Sequence, residues 1–193
     1  PMSSSKENPH TPIVVVAGAS GFIGERLLRR LQPHARVHAL SRRQPEPSED
    51  EGAQSVKWIS CDLFSMSDTL RAVEGADIAV YLVHSMLPSA RLTQGSFHDI
   101  DLVLADNYAR ACMQAGVKDI VYLSGLVPEG ETLSEHLASR AEVESALAAY
   151  GASVTALRAG MIVGGGGSSF RILLRLVKRL PWMICPAWTQ SRM

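Results

Sequence analysis

Residues 13–31 read IVVVAGASGFIGERLLRRL, and three kinds of residue follow one another in that stretch. Five apolar residues, Ile13 to Ala17, come first, as in a strand buried on both faces. Three glycines follow at Gly18, Gly21 and Gly24. A helical pattern closes the stretch, with Ile23, Leu27, Leu28 and Leu31 on one stripe. Glycines between a buried strand and an amphipathic helix let the backbone turn tightly and approach a pyrophosphate. The phosphate charge then faces the N–H groups of the helix N-terminus. The spacing is GxxGxxG, and Gly18, Ser20, Gly21, Phe22, Ile23 and Gly24 are the expected contacts. The alternative is a glycine-rich turn without a ligand.

Outward from this unit the alternation continues. RVHALS (36–41), VKWISC (56–61), DIAVYLV (77–83), DIVYLS (119–124) and SVTALRAG (153–160) have strand character. Helical patterns lie between them at about 66–74, 96–115 and 133–149. Strands alternating with helices predict a doubly wound α/β fold, a parallel sheet covered on both faces, in the order 3-2-1-4-5-6. Residues 1–12 are expected to form a loose polar arm, 13–180 one domain, and 181–193 a tail. The polar segment 42–55, RRQPEPSEDEGAQS, is expected to be a loop.

Composition narrows the function classes. The chain has 193 residues, 46% hydrophobic and 20% charged, which fits a globular protein rather than a disordered one. Its 19 basic and 19 acidic residues balance, so no net charge points to nucleic acid. Cys61, Cys112 and Cys185 are few, odd in number and widely spaced, so a reducing cytoplasm is expected. No apolar run approaches the ~20 residues of a membrane span. The six histidines show no metal-ligand spacing with cysteines or carboxylates, and no metal is expected. No GxSxG elbow marks a hydrolase.

With AGASGFIG at its first turn, Asp62 after the third strand, Asn107 in DLVLADNYARACMQAGV and the segment LRAGMIVGGGG, the chain resembles the short-chain dehydrogenase/reductase superfamily from about residue 13 to 180. The resemblance is to the extended and atypical branches, whose fold is a Rossmann-type sheet. VYLVHSM, VYLSGLVP and LSEHLASRAEVESAL further resemble an atypical bacterial group, NAD(P)-binding or epimerase-like. The resemblance implies that Asp62 and Leu63 lie beside the adenine, Val83 and His84 on the nicotinamide side, and that Asn107 is structural. In extended relatives the chain beyond the sixth strand builds a substrate lobe. Here only residues 170–193 remain for it, so little or no separate substrate domain is expected, in a fragment or a minimal version of the family.

The end of the second strand bears on the cofactor. Sites that prefer NAD usually place a carboxylate there for the ribose 2′-hydroxyl. Ser41, Arg42 and Arg43 stand there instead. A hydroxyl and two guanidiniums suit a 2′-phosphate, because arginine forks pair with phosphate oxygens. NADP(H) is the expected cofactor and NAD(H) the lesser one; the alternative is that the arginines only solubilise a loop.

In this superfamily a Ser ends the fifth strand about twelve residues before a Tyr-x-x-x-Lys pair. Ser124 and His136 have that separation, and HLASR lays His136 on the Tyr and Arg140 on the Lys. Ser124, His136 and Arg140 are therefore the catalytic candidates, with both diagnostic residues replaced. Arg140 retains the positive charge for ribose hydroxyls but holds its proton too tightly to relay it. A neutral His136 would accept a proton more readily than it would donate one. Two functions stay open: an oxidoreductase or epimerase-like enzyme with a remodelled pair acting on a small molecule, or a non-enzymatic dinucleotide sensor or assembly factor of the NmrA-like kind. FRILLRLVKRL (170–180) opposes Arg171, Arg175, Lys178 and Arg179 to Ile172, Leu173, Leu176 and Leu180. A helix packed on the sheet with a solvated basic face is preferred to one lying on a membrane. Ala105, Ala109, Ala138, Ala141 and Ala148, in the helices at 96–115 and 133–149, are expected to permit a homodimer; packing of those helices on their own sheet is the alternative.

Overall fold

The computed structural model describes residues 11–43, 56–84, 97–126, 135–160, 162–164, 166 and 168–179, with the backbone alone at 97, 98, 135, 136, 168 and 169. Most of the expected arm and loop, and the whole expected tail, lie outside the described residues. In chain order the elements are β1 (Ile13–Ala17), α1 (Phe22–Leu31), β2 (Arg36–Ser41), β3 (Val56–Ser60), α2 (Met66–Val73), β4 (Ile78–Tyr81), α3 (Phe97–Gln114), β5 (Asp119–Gly125), α4 (Glu135–Ala148), β6 (Ser153–Ala159) and α5 (Ser168–Arg179). The sheet order is β3-β2-β1-β4-β5-β6, and every neighbouring pair runs parallel. The Rossmann-type order expected from the alternation is the order observed.

Strand alternation builds two cores, one on each face of the sheet. Val14 and Val16 of β1 join Val37, Ala39 and Leu28, the α1 side. Val15 and Ala17 point the other way and join Ala79, Tyr81, Ile120, Tyr122, Ala105, Tyr108, Val143 and Leu147. A strand with a core on both faces has no polar position to offer, hence the unbroken run IVVVA. Of the predicted α1 stripe, Leu28 is buried, while Ile23, Leu27 and Leu31 are half-buried.

Two expectations are corrected here. Ala105 and Ala109 are buried in the chain's own core, where they let α3 sit close to the sheet, so they do not supply a two-fold contact. Residues 171–179 of α5 are all exposed, Ile172 and Val177 at 58% each, so the helix does not pack its apolar side on the sheet. No helix among the described residues is long and apolar enough to cross a membrane.

Candidate dinucleotide and catalytic site

The first turn uses its three glycines for three different reasons. Gly18 has φ +82°, a left-handed conformation, and a Cβ there would meet the backbone of Leu82 at 3.0 Å. Gly24 lies in α1 directly over the turn, where a Cβ would come within 2.5 Å of the Ala19 carbonyl oxygen and also strike that of Gly18. Gly21, the N-cap of α1, has ordinary extended backbone (φ −81°, ψ 166°) and a Cβ contact of only 3.3 Å. Gly18 thus permits the turn, Gly24 permits the helix to close on the strand, and Gly21 keeps the mouth of the turn bare.

That bareness has an electrostatic side. The N-terminus of α2 is capped by Ser65, whose Oγ accepts from the Asp68 N–H at 3.3 Å. The N-terminus of α1 has no side-chain cap. A helix start leaves several N–H groups without intrahelical partners, with the positive end of the helix dipole behind them. At the end of a buried parallel strand, in the middle of the sheet, that arrangement fits a pyrophosphate.

Around this turn the other expected residues take definite places. Ser41 ends β2, and its hydroxyl donates to the Arg43 carbonyl at 2.5 Å and accepts from the Arg43 N–H at 3.3 Å. This closes a small turn that presents Arg42 and Arg43, both exposed. After β3, Asp62 Oδ1 accepts from the Phe64 N–H at 3.1 Å, and Asn107 Nδ2 donates to the Leu63 and Phe64 carbonyls at 3.0 and 3.2 Å. Asn107 thereby ties α3 to the turn that carries Asp62 and Leu63, the structural role its resemblance implied. Val83, half-buried, and His84, exposed, follow β4.

At the carboxyl end of β5, Ser124 is buried at 5% exposure. Leu137 of α4 lies over the next residue, where a Cβ on Gly125 would meet Leu137 Cδ2 at 3.1 Å. That contact sets the first turns of α4 against the end of β5. Arg140 is half-buried on the stripe that continues into buried Val143 and Leu147. Its charge reaches the phenol of Tyr81 on β4. His136 is one turn before Arg140 in α4; its side chain lies outside the described residues.

Two features escaped the sequence. The segment after β6 returns to α1: Gly164 and Gly166 both lie against the Phe22 ring, and a Cβ at 166 would sit 2.7 Å from Phe22 Cδ2. The Arg26 guanidinium stacks on the same ring at 3.8 Å and donates to the Phe22 carbonyl at 3.1 Å. The run of glycines after β6 was the signal, since a chain lacking Cβ atoms fits closely over a ring. The second feature is a trio of buried tyrosines, Tyr81, Tyr108 and Tyr122, with Tyr81 5.2 Å from Tyr108 and 6.1 Å from Tyr122 between ring centroids. Burial, then the Asp101 carboxylate, raises the Tyr81 phenol well above its usual range, while Arg140 opposes the rise.

The comparisons agree with this geometry. A sequence family described as NAD(P)H-binding matches residues 18–175. Auxiliary protein GraX of Staphylococcus aureus is 33% identical over 122 residues, 63% of this chain and 39% of GraX. Ceramide reductase of Caulobacter vibrioides is 29% identical over 180 residues, 93% of this chain and 55% of the reductase. The chain thus spans roughly two fifths to just over half of these relatives' lengths. Among solved structures, MoeE5 in complex with UDP-glucuronic acid and NAD matches with a TM-score of 0.68 at 24% identity, over 86% of this chain and 60% of MoeE5. Bordetella bronchiseptica WbmH in complex with NAD+ also matches with a TM-score of 0.68, at 16% identity, over 88% of this chain and 63% of WbmH. At these identities the structural matches establish the fold.

Proposed function

The chain belongs to the NAD(P)H-binding family, and we propose that it is the dinucleotide domain of an NADP(H)-dependent oxidoreductase or epimerase-like protein of the atypical and extended short-chain dehydrogenase/reductase type, with a replaced catalytic pair. The observation that carries the dinucleotide part is the uncapped N-terminus of α1 over a turn that requires glycine at 18 and 24. The observation that favours NADP(H) is the end of β2, where Arg42 and Arg43 are exposed and no carboxylate stands.

In this reading the α1 N–H groups and Gly21 hold the pyrophosphate, and Arg42 and Arg43 take the 2′-phosphate. Asp62 and Leu63 flank the adenine, and Val83 and His84 lie on the nicotinamide side. The bound nicotinamide supplies hydride chemistry. Arg140 holds ribose hydroxyls and gives positive charge without moving a proton. Ser124 donates to a substrate oxygen. His136, if neutral, accepts a proton in the oxidative direction. Residues 13–180 form the dinucleotide domain. The cytoplasm is the proposed compartment, since Cys61 and Cys112 are free thiols. A homodimer would use the outer surface of α3 and α4, where Val103 and Met113 are exposed.

The relatives divide over turnover. The name ceramide reductase favours an enzyme, with a hydrophobic alcohol or carbonyl compound as substrate class; the name auxiliary protein favours a dinucleotide sensor or assembly factor. Replacement of both diagnostic residues by His136 and Arg140 favours the second, and the retained Ser124 the first. Isothermal titration with NADPH and NADH, then a turnover screen with carbonyl compounds and quinones, separates them. Tighter NADPH binding without turnover supports the sensor; NADH binding as tight as NADPH refutes the assignment of Arg42 and Arg43.

A further inference from the structure

Four buried polar side-chain atoms among the described residues have no hydrogen-bond partner: His38 Nδ1, Tyr81 Oη, Tyr122 Oη and Ser124 Oγ. Three of the four lie on one face of the sheet. Tyr81 and Tyr122 are register partners on adjacent strands, and Ser124 follows Tyr122 by two positions on β5, so all three side chains leave the same face of the sheet. Tyr108, the third member of the aromatic trio, differs: its hydroxyl donates to the Val80 carbonyl at 3.3 Å.

Buried hydroxyls in folded proteins are nearly always hydrogen-bonded, to protein or to ordered water. Three without a protein partner on one face of two neighbouring strands point to a shared one. Tyr81 and Tyr122 are at most 1% exposed, so little larger than water reaches their hydroxyls, and Ser124 is buried beside them toward the carboxyl end of β5. The surroundings are polar enough to hold it. The charges of Asp101 on α3 and Arg140 on α4 both act on the Tyr81 phenol, so the hydroxyls of β4 and β5 have charged groups nearby in an otherwise apolar core. Buried water settles where several polar groups converge on one small space, and dry cavities are apolar.

We propose that Tyr81, Tyr122 and Ser124 form a buried water site beneath the carboxyl end of the sheet, one or two waters being ligands common to their hydroxyls. Tyr81 and Tyr122 are positioning residues: through the water they fix the rotor of Ser124, whose lone pairs and proton otherwise have no protein group to orient them. The functional consequence for Ser124 rests on the reading of that residue as part of the site; the water site itself does not.

A stability cycle on the full chain tests it. Tyr→Phe keeps the ring, so a residue that only packs loses nothing, and an orphaned hydroxyl gains stability on removal. Tyr81→Phe and Tyr122→Phe are each expected to lower Tm by roughly 2–4 °C, the scale of one lost hydrogen bond in a chain of this size. The double variant should lose less than the sum, because the second hydroxyl has already lost its water. Ser124→Ala paired with Tyr122→Phe gives a second cycle should Tyr81→Phe fail to fold. A rise in Tm for either Phe variant, strict additivity in both cycles, or a high-resolution crystal structure with no water within hydrogen-bond distance of these oxygens overturns the proposal. Parent protein that fails to bind NADPH while the cycles still couple refutes the cofactor reading and leaves the water site standing.

Discussion

Gly24→Ala is the substitution by which the first turn can be tested most directly. A Cβ at 24 would stand 2.5 Å from the Ala19 carbonyl oxygen. Protein Cβ atoms essentially never come closer than 3.0 Å to such an atom, so the turn and the helix must separate by at least 0.5 Å. The obstacle is backbone on both sides, and no flexible side chain can give way. Overpacking of this kind costs about 1–3 kcal/mol. Ala gains back about 1 kcal/mol over Gly in helix propensity, so a net loss of about 1–2 kcal/mol is expected at the upper end of that range. In a chain of this length that is a fall in Tm of roughly 3–6 °C. The displacement also moves the α1 N–H groups away from the carbonyl end of β1, so NADP(H) affinity should fall with stability. Gly21→Ala supplies the contrast. Its backbone angles suit any residue, and its Cβ contact of 3.3 Å needs a shift of a few tenths of an ångström at most. Its stability should stay near the parent's, while NADP(H) affinity falls on the order of tenfold, or about 1.4 kcal/mol, because the methyl occupies the approach to the helix N-terminus. Thermal melts and calorimetric titrations on both variants measure the two quantities separately. Gly24→Ala with parental Tm and affinity would refute the account of the turn.

Replacing Arg42 and Arg43 together with Ala should erase a preference for NADPH over NADH, each phosphate contact contributing on the order of 1–3 kcal/mol, while leaving NADH affinity nearly unchanged; competitive titration checks this. Arg140→Ala should weaken binding of either dinucleotide several-fold whether or not the protein turns over, and unchanged titrations would remove Arg140 from the ribose. Burial, then Lys57 and Arg36, lowers the pKa of His38, whose Nδ1 is buried without a partner. A proton therefore binds the unfolded chain more tightly, so stability is present above the ordinary histidine range and declines as pH falls through it; His38→Leu should flatten that part of a denaturation-against-pH curve. Burial raises the Cys61 thiol to about 11 and the Cys112 thiol to about 12. Both should resist thiol reagents at neutral pH until the chain is denatured, which mass spectrometry of labelled peptides reports.

The sheet was legible because each strand carries its own signature. IVVVA, with no polar residue, announces a strand between two cores, and the strand order follows from parallel strands joined by helices after β1, β3, β4 and β5. The glycine turn was legible because Gly18, Gly21 and Gly24 are local: their reasons lie within a few residues of one another, apart from Leu82. Arg140 was singled out by the resemblance of HLASR to the superfamily's Tyr-x-x-x-Lys pair together with its four-residue spacing from His136; it is half-buried on the same stripe as Val143 and Leu147. What the sequence hid depends on partners distant in the chain. The tyrosine trio requires the register of β4 against β5 and the seating of α3. The burial of Ala105 and Ala109 depends on which side of α3 meets the sheet, and an alanine looks the same facing its own core or a neighbouring subunit. For α5, amphipathicity foretold two faces but not whether either is covered; both are exposed.

The seating of Gly164 and Gly166 on Phe22 has a consequence for synthesis. The residues of the turn at Gly18 to Gly24 are made early, but the glycines that meet Phe22 leave the ribosome some 140 residues later. At roughly 5–20 residues per second, that gap is on the order of ten seconds. Through that interval the Phe22 ring and the Arg26 guanidinium stacked on it stand open on the nascent chain, a loop closure of very long contour that must wait for its far end. The first motif of the chain to be made is thus among the last to be finished, and a chaperone or a dinucleotide arriving early would meet it before its glycine cover is in place.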